Sequence, residues 1–129
     1  MTHRFAVTVH YEDTDMSGLV YHANHLKFIE RARSAWVAGL GVDQRALLAA
    51  GTAFVVTRIE ADFLAPARFG EVLEVETTPQ GAGRARAVLV QIIRRNGTAL
   101  FRARVTLAAI GPAGRPVRLP APLVAAFSA

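Results

Sequence analysis

Alternating apolar and polar residues open the chain, and a period of two over residues 5–11 predicts a half-buried β-strand. Over residues 23–40 the apolar positions instead recur at the spacing of an amphipathic helix. Asn24 is placed to cap the start of this helix, and Gly39 and Gly41 predict its end. The first third of the chain is therefore predicted to be a strand followed by one long helix.

Most of the remaining chain has the apolar, β-branched composition of strands. Before them, Asp43 predicts the cap of a short second helix that Gly51 closes. The Asn96-Gly97 pair is the strongest turn signal, because a type I′ hairpin needs positive φ at both central residues. Strands are predicted over residues 54–63, 72–78 and 85–94 and after the hairpin turn, with a loop at 79–83 and a short helical segment at 123–127.

One long apolar helix and a meander of four or five strands predict an α+β architecture, in a single domain that spans residues 1–129. A curved antiparallel sheet is needed to bury Phe28, Ile29 and Trp36 of the helix. A single sheet of this size leaves its edge strands unpaired, and pairing between copies removes such edges. The pattern therefore predicts a homo-oligomer.

Composition narrows the class of protein. Hydrophobic residues make up 52% of the chain, which predicts an ordered chain, and the lack of cysteine excludes disulfides, cysteine nucleophiles and thiolate metal sites. The net charge of +5 comes almost wholly from arginines spread over strands and loops without interleaved aromatic residues. This distribution predicts solvent-facing positions rather than a nucleic-acid surface. Without a signal segment or an apolar run that could span a bilayer, a soluble cytoplasmic protein is predicted.

Residues 11–22 carry the groups best suited to chemistry, between the first strand and the long helix. Asp13 has the character of a structural turn residue that accepts hydrogen bonds from nearby amides. Asp15 is the better catalytic candidate, because Gly18 follows closely and permits a tight turn and the approach of a ligand. His22 precedes the helix, whose first N–H groups and partial positive charge are suited to stabilise an oxyanion.

Other interpretations of these residues remain open. Asp15 has a structural alternative as a turn residue, and His22 has one as a polar helix cap. His22 and His25 are spaced for metal binding, but no further ligand cluster completes a site, so neither a metal nor a cofactor is predicted. Glu30 and Arg33 are predicted to form an ion pair on the helix surface or at an interface.

Three segments of this region resemble the hotdog-fold acyl-CoA thioesterases, most closely the Tol–Pal-associated branch related to 4-hydroxybenzoyl-CoA thioesterase. They are YEDTD at residues 11–15, GLVYHAN at 18–24 and FIERAR at 28–33. The later FLAPAR at residues 63–68 resembles that family's strand-to-turn segment. The resemblance extends from Phe5 to the last strand. It implies a long helix wrapped by an antiparallel sheet, with dimers joined edge to edge, often in tetramers, and active sites at subunit interfaces.

The resemblance also implies roles for individual residues in the hydrolysis of acyl-CoA. It assigns catalysis to Asp15, as general base or nucleophile, with assistance from His22 and a contribution from Tyr11. Where the family often has an aromatic residue this chain has His25, which leaves the acyl-chain preference open. The residues expected to contact the substrate are Gly18, Val20, Tyr21, His25 and Arg68. The alternative function is a non-catalytic acyl-CoA sensor or a scaffold protein of envelope biogenesis.

Overall fold

The computed structural model describes residues 2–128 as a five-stranded antiparallel sheet with three helices. The strand order is β1-β3-β4-β5-β2, so β1 and β2 are the two edge strands. The predicted α+β architecture is confirmed. The elements are β1 (His3–Thr8), α1 (Asn24–Gly39), α2 (Gln44–Ala49), β2 (Ala53–Phe63), β3 (Val72–Ala82), β4 (Arg86–Arg95), β5 (Thr98–Ile110) and α3 (Ala121–Ser128), with a 3₁₀ turn at Tyr11–Asp13.

The core lies between α1 and the inner face of the sheet. Phe28 and Ile29 of α1 are fully buried, as are Leu73, Leu89 and Ile93 of the strands beneath them. These side chains come from alternate strand positions and from one helix face, as the two apolar periods require. At the hairpin between β4 and β5, Asn96 and Gly97 have φ angles of 49° and 84°, which confirms the predicted type I′ geometry.

Two predicted boundaries are wrong. The first strand ends at Thr8 rather than at Tyr11, because residues 11–13 turn so that the Asp13 carboxylate accepts the N–H of His10 at 2.9 Å. The loop predicted at residues 79–83 is mostly strand, since β3 continues to Ala82 in register with β4. A register shift after Pro79 accommodates the missing N–H of the proline.

The predicted helix caps have mixed outcomes. The Asp43 side chain accepts the N–H groups of Arg45 and Ala46, which confirms it as the cap of α2. Asn24 does not cap α1. It is the first helical residue, and its side-chain amide donates to Asp13 at 3.0 Å because the turn brings the two side chains together.

Glu30 and Arg33 form the predicted ion pair, but Arg33 is buried rather than at the surface. Arg33 Nη1 donates to Gln91 Oε1 at 2.9 Å, and Gln91 Nε2 donates to the carbonyl of Ile29 and to Thr77 Oγ1. Burial lowers the pKa of Arg33, and the charge of Glu30 opposes that shift. This polar network joins α1 to the middle of the sheet.

The edge strand β2 is poorly covered. It pairs only with β5, α1 packs mainly on β1 and β3, and the short helix α2 packs against the start of β2. The apolar side chains of Val56, Ile59 and Phe63 on the inner side of β2 are therefore 42%, 36% and 55% exposed. A strand with a free edge and a bare apolar side is suited to pairing with another chain.

Candidate active site

A tight turn presents Asp15 beside the entry to α1. The N–H of Gly18 donates to the carbonyl of Asp15 at 3.0 Å, and the N–H of Asp15 donates to the carbonyl of Leu19 at 3.1 Å. Gly18 has a φ of +78°, a conformation that a residue with a Cβ adopts only with strain. The predicted role of Gly18 in forming the turn is confirmed, whereas its contact with a ligand stays a prediction.

The Asp15 carboxylate is exposed and is bound on one oxygen by Ser17. Asp15 Oδ1 accepts the N–H of Ser17 at 2.9 Å and also accepts the Ser17 hydroxyl. The Ser17 hydroxyl and N–H hold the pKa of Asp15 below its usual value, and the nearby His22 acts in the same direction. Asp15 is therefore an ionised carboxylate at neutral pH, with its second oxygen available to accept a proton or to attack.

Asp13, two residues earlier, has the structural role predicted for it. It is 2% exposed, and its two carboxylate oxygens accept the N–H of His10 and the side-chain amide of Asn24. Its carbonyl accepts the N–H of Tyr21 at 2.9 Å. Asp13 thus ties the turn to the start of α1 and has little capacity left for a substrate.

The approach to α1 leaves two backbone donors free. The N–H groups of Asn24, His25 and Leu26 donate to the carbonyls three residues before them, at Tyr21, His22 and Ala23. In the described part of the chain, the N–H groups of His22 and Ala23 have no acceptor. The unpaired donors therefore come just before the helix rather than within its first turn, where four such groups are normally left over.

A cleft of about 310 Å³ opens beside these donors. One wall comes from the turn and the helix entry, and the other from the end of β2 and the segment after it. Its lining residues are Leu19, Val20, His22, His25, Phe63, Leu64, Ala65 and Pro66. A larger cleft of about 620 Å³, between Arg84 and α3 at the opposite end of the sheet, lacks both a carboxylate and a histidine.

His25 is enclosed by aromatic rings at the base of this cleft. Its ring stacks on Phe101 with centroids 5.1 Å apart and meets Phe63 edge-on at 5.2 Å. Nδ1 lies 2.9 Å from the carbonyl of His22, so Nδ1 carries the proton that is donated. Burial lowers the pKa of His25, and the ring is neutral at pH 7. Among residues 2–128, Nε2 has no hydrogen-bond partner and is an unused acceptor.

Comparison with known proteins decides the family. The family model described as the thioesterase superfamily matches residues 17–101, which include His22, the cleft and three of the five strands in full. The chain belongs to the thioesterase superfamily. The predicted enzyme class, a thioester hydrolase, is confirmed, and so is the predicted hotdog fold.

Individual relatives match the sequence of this thioesterase over nearly its whole length. It is 37% identical over 126 residues to the acyl-CoA thioester hydrolase YbgC of Escherichia coli, covering 96% of this chain and 94% of that protein. It is 38% identical to the acyl-CoA thioesterase YbgC of Haemophilus influenzae, covering 95% of this chain and 92% of that protein.

Solved structures show the same architecture. A probable thioesterase from Bartonella henselae is 37% identical with a TM-score of 0.88, and the match covers 93% of this chain and 100% of that one. A 1,4-dihydroxy-2-naphthoyl-CoA thioesterase from Synechocystis is 25% identical with a TM-score of 0.92, over 99% of this chain and 96% of that one. The thioesterase fold is thus shared from the first strand to the last.

The structure brings only some of the predicted site residues of this thioesterase together. Val20, His22 and His25 line the cleft, and Asp15 lies in the adjoining turn. Tyr21 is in ring contact with His22 at 4.5 Å. Arg68 lies across from Leu19, with an exposed guanidinium.

Tyr11 stands apart, since it is 79% exposed and its ring meets Phe69 edge-on at 6.3 Å. Neither a hydrogen bond nor a ring contact joins Tyr11 to Asp15 or His22 in the described chain.

Sequence reasoning missed three features of the site. Ser17 was not predicted to support the site, yet its N–H and its hydroxyl both donate to the Asp15 carboxylate. Phe63 and Phe101 enclose His25, and the FLAPAR segment was the available signal for the first of them. The free N–H of Ala23 had no signal, because it depends on how the turn joins the helix.

Within residues 2–128, no group of three or more histidine, cysteine or acidic side chains is arranged to hold a metal ion. In the same part of the chain, every helix is too short or too polar to cross a membrane.

Proposed function

We propose that this thioesterase hydrolyses acyl-CoA thioesters at the cleft beside His22, with Asp15 as general base or nucleophile. The observation that carries the proposal is an ionised carboxylate next to two free N–H groups at the mouth of an apolar cleft. The curated relatives are acyl-CoA thioesterases that match this chain over nearly its whole length, and they support the choice of substrate class.

Asp15 has two possible roles, and each gives a complete hydrolysis of the thioester to the free acid and coenzyme A. As a general base, Asp15 takes a proton from a water molecule that attacks the thioester carbonyl carbon; the C–S bond breaks, and the proton passes to the coenzyme A thiolate. As a nucleophile, Asp15 attacks the same carbon, expels the thiolate and forms a mixed anhydride that water then hydrolyses. In either route the carbonyl oxygen becomes negative, and the N–H groups of His22 and Ala23 are the donors that stabilise it.

The acyl group is proposed to enter the cleft, and coenzyme A to lie outside it. Val20, Phe63 and Leu64 supply apolar walls, while the neutral ring of His25 supplies one acceptor at Nε2. Gly18, in the turn with Asp15, and Tyr21, in ring contact with His22, are proposed to contact the substrate beside the cleft. The exposed guanidinium of Arg68 has no ion pair in the described residues, so it is free to bind a phosphate of coenzyme A.

The site is proposed to be completed by a second copy of the chain. The bare apolar side of β2 continues directly into the cleft through Phe63. Edge-to-edge pairing of β2 with the β2 of another copy would bury Val56 and Ile59 and close the open wall beside His25. A homodimer or a homotetramer with interface sites is therefore proposed, and light scattering at micromolar concentration tests it, since a monomer would contradict it.

The central experiment measures free thiol release from a panel of acyl-CoA substrates of different chain length. Asp15→Asn and His22→Ala are compared with the native enzyme and with Glu12→Gln, a matched control that removes an exposed acid from the same turn. Only Asp15→Asn and His22→Ala are expected to lose activity. Full activity in a folded Asp15→Asn enzyme would exclude the proposed mechanism.

Two additional measurements separate the remaining alternatives. Tight acyl-CoA binding by the native chain without thiol release would instead support the non-catalytic sensor or scaffold. A single turnover in ¹⁸O-labelled water identifies a nucleophile if label enters Asp15, because only an anhydride opened at the Asp15 carbonyl can carry it there. Label only in the free acid fits both routes, so rapid-quench mass spectrometry of the enzyme then separates them: an acyl adduct on Asp15 identifies the nucleophile, and its absence supports the general base.

A further inference from the structure

The cleft beside His22 has a polar atom at its base that no other group of the described chain binds. His25 is 5% exposed, so its side chain is almost wholly buried, and its Nε2 has no hydrogen-bond partner among residues 2–128. In the same part of the chain, the only side-chain nitrogen or oxygen that is both fully buried and unpartnered is Nδ1 of His3. Nε2 of His25 is therefore reached from the cleft, which the His25 ring lines.

The surroundings of His25 hold its ring in one orientation. Nδ1 donates to the carbonyl of His22 at 2.9 Å, and this bond fixes the tautomer. Phe101 stacks on the ring with centroids 5.1 Å apart, while Phe63 and Phe28 meet it edge-on at 5.2 and 6.4 Å. Burial lowers the pKa of His25, so Nε2 carries no proton at pH 7. Nε2 is thus a fixed acceptor that faces the cleft.

The rest of the cleft wall is apolar. Apart from His22 and His25, its side chains are those of Leu19, Val20, Phe63, Leu64, Ala65 and Pro66. The backbone N–H groups of Leu64 and Ala65 both donate to the carbonyl of Leu100, at 2.8 and 3.1 Å, and are not available to a ligand. An acyl group that enters the cleft therefore meets the His25 acceptor in an otherwise apolar environment.

The chemistry of Nε2 selects the kind of group that can bind it. An acceptor needs a donor, so a carboxylate or a ketone on the acyl group does not fit. An ammonium donates, but the residues that line the cleft include no acidic side chain to pair with its charge. An amide N–H also donates, but it would place its own carbonyl unpaired against the apolar wall. A hydroxyl is a neutral donor without a second polar group, and it fits both the acceptor and the wall.

We propose that His25 determines the specificity of this thioesterase by selecting acyl groups that carry a hydroxyl, which donates to Nε2. This inference rests on the proposed function, because it takes the same cleft as the acyl site. His25 follows the free N–H groups of His22 and Ala23 by about one helical turn, or about 5 Å. The hydroxyl therefore belongs close to the thioester rather than at the far end of a long chain.

An acyl group without a donor would exclude water from Nε2 and leave this acceptor unpaired. For this reason, a site that hydrogen-bonds a substrate hydroxyl discriminates strongly against the analogue that lacks it. The hydroxylated acyl-CoA is expected to be preferred by at least about tenfold in kcat/KM.

The first test compares substrates that differ by one hydroxyl. The pairs are 3-hydroxybutyryl-CoA, as each enantiomer, with butyryl-CoA, and 4-hydroxybenzoyl-CoA with benzoyl-CoA. Thiol release gives the ratio of kcat/KM for the hydroxylated over the plain member of each pair. The pair with the higher ratio identifies whether the hydroxyl is carried on a chain or on a ring.

The same ratio is then measured in His25→Phe, which keeps a ring between Phe63 and Phe101 but has no acceptor. The ratio is expected to fall at least about tenfold in one of the pairs, and dividing the native ratio by the variant ratio cancels the intrinsic reactivity of the two substrates. Leu64→Ala is the matched control, because it alters the apolar wall and leaves the acceptor in place, so it is expected to keep the native ratio. Ratios that are unchanged in His25→Phe for both pairs would overturn the proposed selection.

Binding separates a failure of this selection from a failure of the proposed function. Asp15→Asn is titrated by calorimetry with both members of each pair, and this measurement decides if the native enzyme releases no thiol or if His25→Phe does not fold. An affinity at least about tenfold higher for a hydroxylated member supports the selection, and equal affinities in both pairs overturn it. Thiol release by the native enzyme without any preference for a hydroxyl would leave the proposed function intact and remove only the role of His25.

Discussion

Two regions on the inner side of the sheet differ in whether their polar groups have hydrogen-bond partners. Under the middle of α1, the side-chain groups of Arg33, Gln91 and Thr77 are joined in one hydrogen-bonded network. At the cleft, the N–H of His22 and Nε2 of His25 have no partner among residues 2–128. Buried polar groups are normally satisfied, as those of this network are, whereas His22 is exposed and the groups at the cleft are open to solvent or to a ligand. Here the scaffold region is satisfied, and the region with spare donors and acceptors is where a substrate is proposed to bind.

The largest expected effect comes from the two aspartates of the turn. Asp13 belongs to the scaffold, whose polar groups are paired, and Asp15 belongs to the proposed site. Asp15→Asn is expected to lower kcat by about 10²- to 10⁴-fold because it removes the proposed base or nucleophile. Stability is expected to stay nearly constant, because the Asp15 side chain is exposed and bonds only to Ser17. Thiol-release kinetics and thermal unfolding of the same samples measure both.

Asp13→Asn is the counterpart. An amide nitrogen in place of either carboxylate oxygen meets a donor, from His10 or from Asn24, so the unfolding free energy is expected to fall by about 1–3 kcal/mol. Equal losses of stability in both variants would contradict the division between a structural and a catalytic aspartate.

The next effect concerns the scaffold network. Gln91→Leu leaves Arg33 and the Thr77 hydroxyl without their buried partner, so a loss of about 1–3 kcal/mol in unfolding free energy is expected. Activity per folded molecule is expected to persist, since the network lies away from the cleft. Chemical denaturation measures the loss, with the exposed Gln80→Leu as control.

A smaller effect concerns the pH at which Asp15 is protonated. Ser17 lowers the pKa of Asp15, and the reaction needs the ionised carboxylate, so the acid limb that Asp15 imposes on kcat/KM lies below its usual pH. Ser17→Ala removes the hydroxyl donor and is expected to move this limb to higher pH. Profiles of kcat/KM that extend from neutral pH to well below 3.8, the usual value for this carboxyl, measure the shift, and an unchanged limb in Ser17→Ala would show that another group sets it.

The smallest expected effect is the pH dependence of stability that His25 imposes. Burial lowers the pKa of His25, so the unfolded chain binds this proton more readily than the folded chain does. The neutral ring therefore contributes stability that is present above the usual histidine pKa and is lost as pH falls below it. His25→Phe keeps a ring in the aromatic enclosure and is expected to flatten the pH dependence of the unfolding free energy between pH 7 and 5. A slope equal to that of the native enzyme would contradict this assignment.

Sequence patterns anticipated the fold because they report local geometry. The helical period gave α1 to within a residue at each end, and Asn96-Gly97 gave the hairpin. The errors fall where distant partners override local preference. The composition of residues 79–83 favours a loop, but pairing with β4 extends β3 through them. Asn24 lies where a helix cap is expected, but its side-chain amide donates to Asp13 instead.

The candidate site shows the same limit. The segment that contains Asp15, His22 and Gly18 was identified from the sequence, with Asp13 in a structural role. The burial of Arg33 was not, since it depends on Gln91, 58 positions away along the chain. Nor was the orientation of His25, which depends on Phe63 and Phe101 from two other elements.

By itself, the sequence determined the periods of the elements, the turn that needs Gly18 and the reactive groups within one short segment. These depend on residues a few positions apart, whose geometry the backbone sets. The tertiary structure alone decided which donors and acceptors remain unpaired and which side of β2 stays bare. Those properties depend on the register and packing of segments far apart in the chain, so no local pattern contains them.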